Sequence, residues 1–187
     1  MPQDKKQLIS LKTILACIEG NPSAQYRLYD ASANRLYNVI FRLMGNKQET
    51  EDVLQETYIK VFSKLDNYDV TKGNIISWMS RIAINTSINF LNRRRFKFDD
   101  IDVSIPAFHD NTSILDHLET DYILHLIEAL PQQLKVIFVL YEIEGFSHDE
   151  ISNLLAVNTN SCRVYLSRAK IKLKQMISDY NRSNIAQ

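Results

Sequence analysis

Residues 147–170 read SHDEISNLLAVNTNSCRVYLSRAK, and this order of polar and apolar residues predicts two short helices around a tight turn. Ser147 followed by Glu150 fits a capping box, in which each side chain bonds the backbone N–H of the other residue at a helix N-terminus. Residues 156–158 interrupt the apolar spacing, and Asn158 is a favourable N-cap for a second helix. Two helices joined by so short a turn are typical of a helix-turn-helix.

The second of these helices has an apolar side and a basic side. We expect it to run from Thr159 to about Ser178. The residues predicted to face inward, at steps of four, three and four, are Cys162, Leu166, Ala169 and Leu173. The residues predicted on the other face are Asn160, Ser161, Arg163, Tyr165, Arg168 and Lys170. Five basic residues and no acid between Arg163 and Lys174 suit contacts with DNA phosphates. A solvated basic helix on an ordinary bundle is the alternative interpretation.

The helix before this pair is apolar almost all round. Residues 134–143 read LKVIFVLYEI, so a helix from Pro131 to Ile143 is predicted to be buried on several sides. A core helix is the default interpretation. Docking of a hydrophobic element from a partner protein is a second hypothesis.

Glycine and proline divide the whole chain into segments of helical length. The predicted breaks lie at 20–22, 45–46, 69–74, Pro106, Pro131 and Gly145. Between them the apolar residues recur at helical steps, and no useful stretch alternates with a period of two. We therefore predict an all-α protein.

The helical spacing lapses in the segment KFDDIDVSIPAFHDNTS. We interpret residues 97–113 as a linker between two small helical domains, at 1–96 and 114–187.

Composition excludes several classes of protein. The 187 residues include 22 basic and 22 acidic side chains, which argues against a histone-like protein that coats DNA through a uniform positive field. Cys17 and Cys162 form neither a CxxC pair nor a disulfide framework. No apolar run is long enough to span a bilayer and the N-terminus has no signal peptide, so we expect a cytoplasmic protein without membrane insertion.

An enzyme is the weakest hypothesis. The four histidines do not lie at metal-ligand spacing with cysteines or carboxylates, and no glycine-rich phosphate loop occurs. We expect no catalytic residues, no metal and no cofactor.

The third predicted helix carries an acidic, polar face. Four acids and no base lie between Glu49 and Glu56, and the helix dipole accounts for acids in the first turn. It does not account for polar residues further along the helix. We therefore predict a protein-docking surface made of Asp52, Gln55, Glu56 and Lys60.

The fourth predicted helix has the opposite charge. Five basic residues and no acid lie between Arg81 and Phe98. Trp78, Arg81, Asn85 and Asn89 share one side at helical spacing, where they can stack on unpaired bases, hold phosphates and bond base edges. A tryptophan alone is more often a core residue, but asparagine is a poor mid-helix residue. This face therefore predicts binding to single-stranded nucleic acid.

These stretches together resemble a known family. EDVLQETYIKVFSKLDNYD (51–69) with ISWMSRIAINTSINFLNRRR (76–95) resembles region 2 of the extracytoplasmic-function (ECF) sigma factors of bacterial RNA polymerase. Residues 130–173 resemble region 4 of the same family, in the family's order and after a short linker. The resemblance implies a factor that binds core RNA polymerase and directs initiation at promoter DNA.

The resemblance also implies roles for single residues. It implies docking on the polymerase β′ clamp by Asp52, Gln55, Glu56 and Lys60. It implies contact with the −10 element by Lys72, Asn74, Trp78, Arg81, Asn85, Asn89, Arg93, Arg94 and Arg95. Asn85 matches the asparagine of the family's I-A-x-N motif beside the pocket for a flipped base, and the 68–74 loop matches the loop that encloses that base.

For region 4 the family implies contact with the −35 element by Asn158, Thr159, Asn160, Ser161, Arg163, Val164, Tyr165, Arg168 and Lys170. Tyr165 stands where the family usually has an arginine. The apolar helix before the helix-turn-helix matches the segment on which the β flap docks in this family. An anti-sigma factor is a further partner implied by the resemblance. A helix-turn-helix regulator with an N-terminal sensor or dimerisation domain is the alternative, but it does not explain the face from Trp78 to Asn89.

Overall fold

The computed structural model describes residues 9–93 and 120–185, and within these ranges the chain is α-helical and has no strand. The predicted all-α class is confirmed. Contacts divide the chain into two compact units, Met1–Arg94 and Arg95–Gln187. The predicted linker at 97–113 and the break at Pro106 lie outside the described residues.

The helices of unit 1 are α1 Leu11–Ile18, α2 Pro22–Met44, α3 Lys47–Lys64 and α4 Ile75–Arg93, with single 3-10 turns at Leu65–Asn67 and Val70–Lys72. The helices of unit 2 are α5 Thr120–Glu128, α6 Gln132–Phe138, α7 His148–Leu155 and α8 Thr159–Ile185, with a π-helical turn at Val139–Ile143 after α6.

The sharp connections of unit 1 depend on the predicted break residues. Asn21 caps α2 by accepting a hydrogen bond from the Ala24 N–H at 3.1 Å. Gly45 ends α2 at φ 70°, a left-handed conformation that favours glycine, and Asn46 then caps α3. The chain reverses within two residues because each of these positions carries the residue type that its backbone needs.

The core of unit 1 lies between α2, α3 and α4, which pack against one another in all three pairs, while α1 packs on α2. Fully buried aliphatic residues fill it, including Leu36, Val61, Met79 and Ile84. One buried polar contact links α2 to α3, because the hydroxyls of Ser32 and Tyr58 lie 2.7 Å apart.

The core of unit 2 is built around α8, which α6, α7 and α5 all contact. All six residues from 135 to 140 are buried, so the prediction that this helix is enclosed on several sides is confirmed. The predicted single helix from 131 to 143 is interrupted, however, because a π-helical turn widens its last five residues.

The end of α8 also differs from expectation. The helix continues to Ile185, beyond the predicted end near Ser178. The apolar spacing ends at Leu173, but an existing helix propagates at one backbone bond per residue without further burial. Loss of the apolar pattern therefore does not mark the helix end.

Cys17 and Cys162 are both buried free thiols. In the described part of the chain no helix combines the length and the apolar character required to cross a membrane.

Replacing Tyr58 with phenylalanine should lower the free energy of unfolding by about 1 kcal/mol, because it removes the buried hydroxyl contact between α2 and α3. Urea denaturation measures this change. Tyr26 is 68% exposed, so Tyr26→Phe is the matched control and should leave the midpoint unchanged. Equal effects of the two substitutions would contradict a role for the Ser32–Tyr58 contact.

The same tyrosine should titrate late. Burial raises the pKa of Tyr58 from 10.0 to about 12, so its contribution to stability is present below pH 10 and is lost as the pH rises towards 12. An ultraviolet absorbance titration of the nine tyrosines should show a last phase near pH 12 that Tyr58→Phe removes. A last phase that survives the substitution would assign the late titration to another tyrosine.

Candidate nucleic-acid and polymerase-binding surfaces

The loop before α4 is a compact, hydrogen-bonded turn. The Asp69 carboxylate accepts bonds from the Thr71 N–H at 2.9 Å and the Thr71 hydroxyl at 2.7 Å, which lower the pKa of Asp69. Lys72 lies 3.6 Å from the same carboxylate. Asn74 accepts from the Ser77 N–H at 2.9 Å. Of the two residues here that are predicted to contact DNA, Asn74 also holds the start of α4, whereas Lys72 forms only an exposed ion pair.

Trp78 packs against this loop. Its ring lies 5.6 Å from the ring of Tyr68 at an interplanar angle of 59°, and the Tyr68 hydroxyl donates to the Gly73 carbonyl at 2.8 Å. Trp78 is half-buried, so it is both a packing residue and part of the surface. Tyr68 was not among the predicted contact residues, although it lies in the predicted specificity loop.

The predicted polar side of α4 faces outward. Arg81, Asn85 and Asn89 are all exposed. The Asn85 amide donates one N–H to the Arg81 carbonyl at 2.8 Å, a bond back to residue i−4 that gives the polar side chain a defined position within the helix. The structure therefore brings these three residues together as the spacing predicts.

Glu56 and Lys60 lie on the side of α3 that faces α4. The Glu56 carboxylate lies 2.7 Å from Lys60 Nζ and 2.8 Å from Arg93 of α4, and these two hydrogen bonds lower the pKa of Glu56. Lys60 also donates to the Thr86 hydroxyl at 3.3 Å. An open groove of about 550 Å³ lies here, lined by Glu56, Lys60, Asn89, Asn92 and Arg93.

This arrangement corrects one expectation. The four predicted docking residues do not share one outward face, because 3.6 residues per turn spread them over a wide arc of α3. Asp52 and Gln55 are exposed, whereas the side chains of Glu56 and Lys60 are only 33% and 32% exposed. Because α4 packs against that side of α3, Glu56 and Lys60 make contacts within the protein.

An apolar residue completes the outward face of α3. Ile59 is 71% exposed and follows Asp52 and Gln55 at helical spacing. Ile59 was not among the predicted docking residues, although its helical spacing from Asp52 and Gln55 was a usable signal. Single exposed aliphatic residues are common on protein surfaces, so Ile59 is of interest here because it shares a face with the predicted docking residues Asp52 and Gln55.

The helix-turn-helix has the predicted geometry. Ser147 and Glu150 form the complete capping box, with bonds of 2.9 and 3.2 Å between side chains and backbone N–H groups. Ala156 takes the left-handed conformation at φ 54°, and Asn158 accepts from the Asn160 N–H at 2.8 Å at the start of α8. The predicted capping box, the turn at 156–158 and the Asn158 cap are confirmed.

The predicted outward face of α8 is only partly outward. Asn158, Asn160 and Arg163 are exposed, and Arg163 donates to the Asn160 amide oxygen at 3.0 Å. The half-buried members of the predicted set are Thr159, Ser161, Arg168 and Lys170. Lys170 also forms an ion pair with Glu142 at 2.8 Å.

Tyr165 does not point outward, which corrects the expected face. Tyr165 and Val164 are each only 4% exposed. Helices α5, α6 and α7 all contact α8, so its middle is enclosed more widely than one apolar stripe indicates.

Among the described residues no group of histidine, cysteine and carboxylate side chains has metal-binding geometry. The predicted DNA-contact residues Arg94 and Arg95 lie outside the described residues.

Comparison with family models assigns both units to one family. The family model Sigma-70 region 2 matches residues 28–97, and Sigma-70, region 4 matches residues 120–173, more than half of the chain in total. The chain belongs to the sigma-70 family. Members of this family are non-catalytic factors that direct transcription initiation, so this sigma-70 protein is assigned no catalytic residues.

Relatives of this sigma-70 protein include ECF sigma factors. It is 30% identical over 156 residues to the ECF RNA polymerase sigma factor SigE of Mycolicibacterium smegmatis, covering 80% of this chain and 60% of that protein. It is 21% identical over 188 residues to the ECF RNA polymerase sigma factor SigW of Bacillus subtilis, covering 92% and 99%. The chain thus spans 60% of the length of the first relative and nearly all of the second.

A solved structure shares the fold. The sigma factor RpoE from Bartonella quintana, solved in complex with the anti-sigma factor NepR, matches with a TM-score of 0.53 and 17% identity. The match covers 82% of this chain and 96% of that chain.

Substitutions of Tyr165 and Arg163 should differ in their effect on stability, because Tyr165 is a core residue of α8 and Arg163 is exposed. Tyr165→Ala should lower the free energy of unfolding by about 3 kcal/mol, because it leaves a cavity in unit 2. Arg163→Ala, on the exposed side, should change it by less than about 0.5 kcal/mol. Chemical denaturation followed by circular dichroism measures both, and a Tyr165→Ala protein as stable as the Arg163 variant would show that Tyr165 is not a core residue.

Proposed function

We propose that this sigma-70 protein binds core RNA polymerase and directs initiation by reading a −35 element as duplex and capturing one strand of a melted −10 element. The outward face of α4 carries the proposal, because it presents Arg81, Asn85 and Asn89 together beside the ring of Trp78. A duplex-binding regulator does not need amides and an aromatic ring on a separate helix. We expect the protein to act in the cytoplasm, where core polymerase is found.

Strand capture would take place where α4 meets its loop. Extruding a base costs a few kcal/mol, which stacking and hydrogen bonds must offset. Trp78 and Tyr68 supply aromatic surface, and the Asn85 amide keeps its oxygen and a second N–H beyond the bond to Arg81. Lys72 on the loop and Arg81 on the helix supply positive charge for the strand's phosphates.

Duplex reading would use the first turns of α8. Asn158, Asn160 and Arg163 are exposed there, and the N-terminal part of a recognition helix is the part that reaches base edges. The half-buried Thr159, Ser161, Arg168 and Lys170 remain proposed contacts beside them. The burial of Val164 and Tyr165 favours supporting roles for those two residues.

Polymerase docking would use the outward face of α3. Asp52 and Gln55 supply polar contacts to the β′ clamp, and Ile59 supplies an apolar centre. We also propose contact of the β flap with unit 2. Because residues 135–140 are buried, that contact would involve the half-buried Leu134, Tyr141 and Ile143 at the ends of the segment.

Regulation by an anti-sigma factor is proposed from the family. The Bartonella sigma factor that shares this fold was solved in complex with such a protein. We expect a protein partner of this class to compete with polymerase or DNA for the faces on α3, α4 and α8.

Transcription in vitro with purified core polymerase tests the central proposal. Transcripts from specific promoter fragments should appear only when this protein is added. If core polymerase neither binds the protein nor initiates, while the protein alone protects duplex DNA, then the regulator interpretation replaces the sigma proposal.

Asn85→Ala should impair melting more than duplex binding. We expect open-complex formation to fall at least about tenfold, the effect of about 1.4 kcal/mol, while binding to the −35 duplex stays unchanged. Permanganate reactivity of unpaired thymines measures the first quantity and a mobility shift the second. Asn34→Ala replaces an exposed asparagine on α2 and is the matched control. If Asn85→Ala reduced open-complex formation and −35 duplex binding equally, the proposed assignment of these two activities to different units would be contradicted.

Asp52→Lys should weaken binding to core polymerase without affecting the fold. Charge reversal on the outward face opposes docking, and the matched control Asp30→Lys reverses an exposed acid on α2. Fluorescence titration of labelled protein with core polymerase measures the affinity. Unchanged affinity of the Asp52 variant would remove α3 from the interface; reversal of Glu56 is a poorer test, because it also breaks the ion pairs with Lys60 and Arg93.

A further inference from the structure

The groove between α3 and α4 holds an internal anion against two cations. Glu56 of α3 accepts from Arg93 of α4 at 2.8 Å and lies 2.7 Å from Lys60 Nζ. Asn89 and Asn92 complete the lining of this open space of about 550 Å³. Arginine binds the oxygens of a carboxylate and those of a phosphate with similar geometry. The cluster therefore resembles a phosphate-binding site in which a carboxylate takes the place of the phosphate.

The ion pairs are not needed to hold the helices together. Arg93 is 61% exposed and Glu56 33% exposed, and pairs of this kind contribute about 0–1 kcal/mol. The contact between α3 and α4 is already made by buried apolar residues such as Val61 and Met79. The pairs therefore decide which charges are available in the groove more than they decide stability.

The position of the groove relates it to the proposed strand path. Asn89 lies one turn beyond Asn85 on α4, and Arg93 lies one turn beyond Asn89. A strand whose base is held at Asn85 would pass its backbone towards this end of α4. With Glu56 in place, one of the two positive charges of Lys60 and Arg93 is neutralised.

We propose that this groove binds a backbone phosphate of a single nucleic-acid strand and that the Glu56 carboxylate occupies the site in its absence. This inference deepens, and rests on, the proposed function of α4. Glu56 competes with the phosphate for Arg93. A protein partner that engages Glu56 on α3 therefore frees Arg93 for the strand, and by reciprocity a bound strand frees Glu56 for that partner.

The test measures binding of the full chain to fluorescein-labelled oligodeoxythymidylate by anisotropy at several salt concentrations. This probe carries phosphates but no promoter sequence, so the assay needs neither polymerase nor a known −10 element. Glu56→Gln should tighten binding at least about threefold and steepen the logarithmic salt dependence by roughly 0.7, the value for one additional phosphate contact on a single strand.

Two further variants separate the site from a general change in charge. Asp52→Asn removes one negative charge from the exposed face of the same helix, one turn from Glu56, and should have less than half the effect on a logarithmic scale. In an Arg93→Gln background, Glu56→Gln should no longer tighten binding, because the cation that it releases is absent. Circular dichroism of each variant verifies that the helices are intact.

Each other result overturns the inference. A Glu56→Gln gain no larger than that of Asp52→Asn, a gain undiminished without Arg93, or no detectable oligonucleotide binding by any variant would each remove the phosphate site. The sigma proposal is judged separately, by polymerase-dependent transcripts and by Asn85→Ala. If the gain depends on Arg93 but the protein gives no transcripts, the phosphate site stands and the proposed function is refuted. If the protein gives transcripts but the gain is absent, the proposed function stands and the phosphate site is refuted.

Discussion

The packing of α4 between α2 and α3 is the constraint on which the N-terminal surfaces depend. Met79, Ile84 and Ile88 of α4 are each no more than 1% exposed, so the helix has one rotation about its axis in which its apolar side is buried. Since the helix has 3.6 residues per turn, that rotation turns Arg81 and Asn85 outward. The proposed strand-binding face is thus positioned by burial of apolar side chains on the opposite side of the same helix.

In unit 2 a single helix serves both as core and as the proposed reader of DNA. Contact with α5, α6 and α7 encloses the middle of α8, including Tyr165, and leaves its first turns exposed around Arg163. The proposed recognition surface therefore lies at the N-terminal end, which the capping box and the Asn158 cap place in a defined orientation. The enclosed middle anchors this end, because close packing holds that part of the helix in place.

The two helices that carry the proposed polymerase and DNA surfaces of unit 1 are joined by an ion pair. Glu56 belongs to the helix proposed to dock on polymerase and Arg93 to the helix proposed to follow the strand, and the two side chains are hydrogen bonded. Any partner that binds one of these groups changes the electrostatic surroundings of the other. The two helices are therefore electrostatically linked within unit 1.

The sequence by itself determined the features that depend on neighbours within one or two helical turns. The helix breaks at Gly45 and Gly145, the caps and the outward face around Asn85 were all predictable, because capping bonds and helical spacing are local. Only the tertiary structure decided that Tyr165 is buried and that Glu56 meets Arg93, 37 positions away. Those outcomes depend on which helices pack on which sides, and one helix's own pattern of polar and apolar residues does not contain that information.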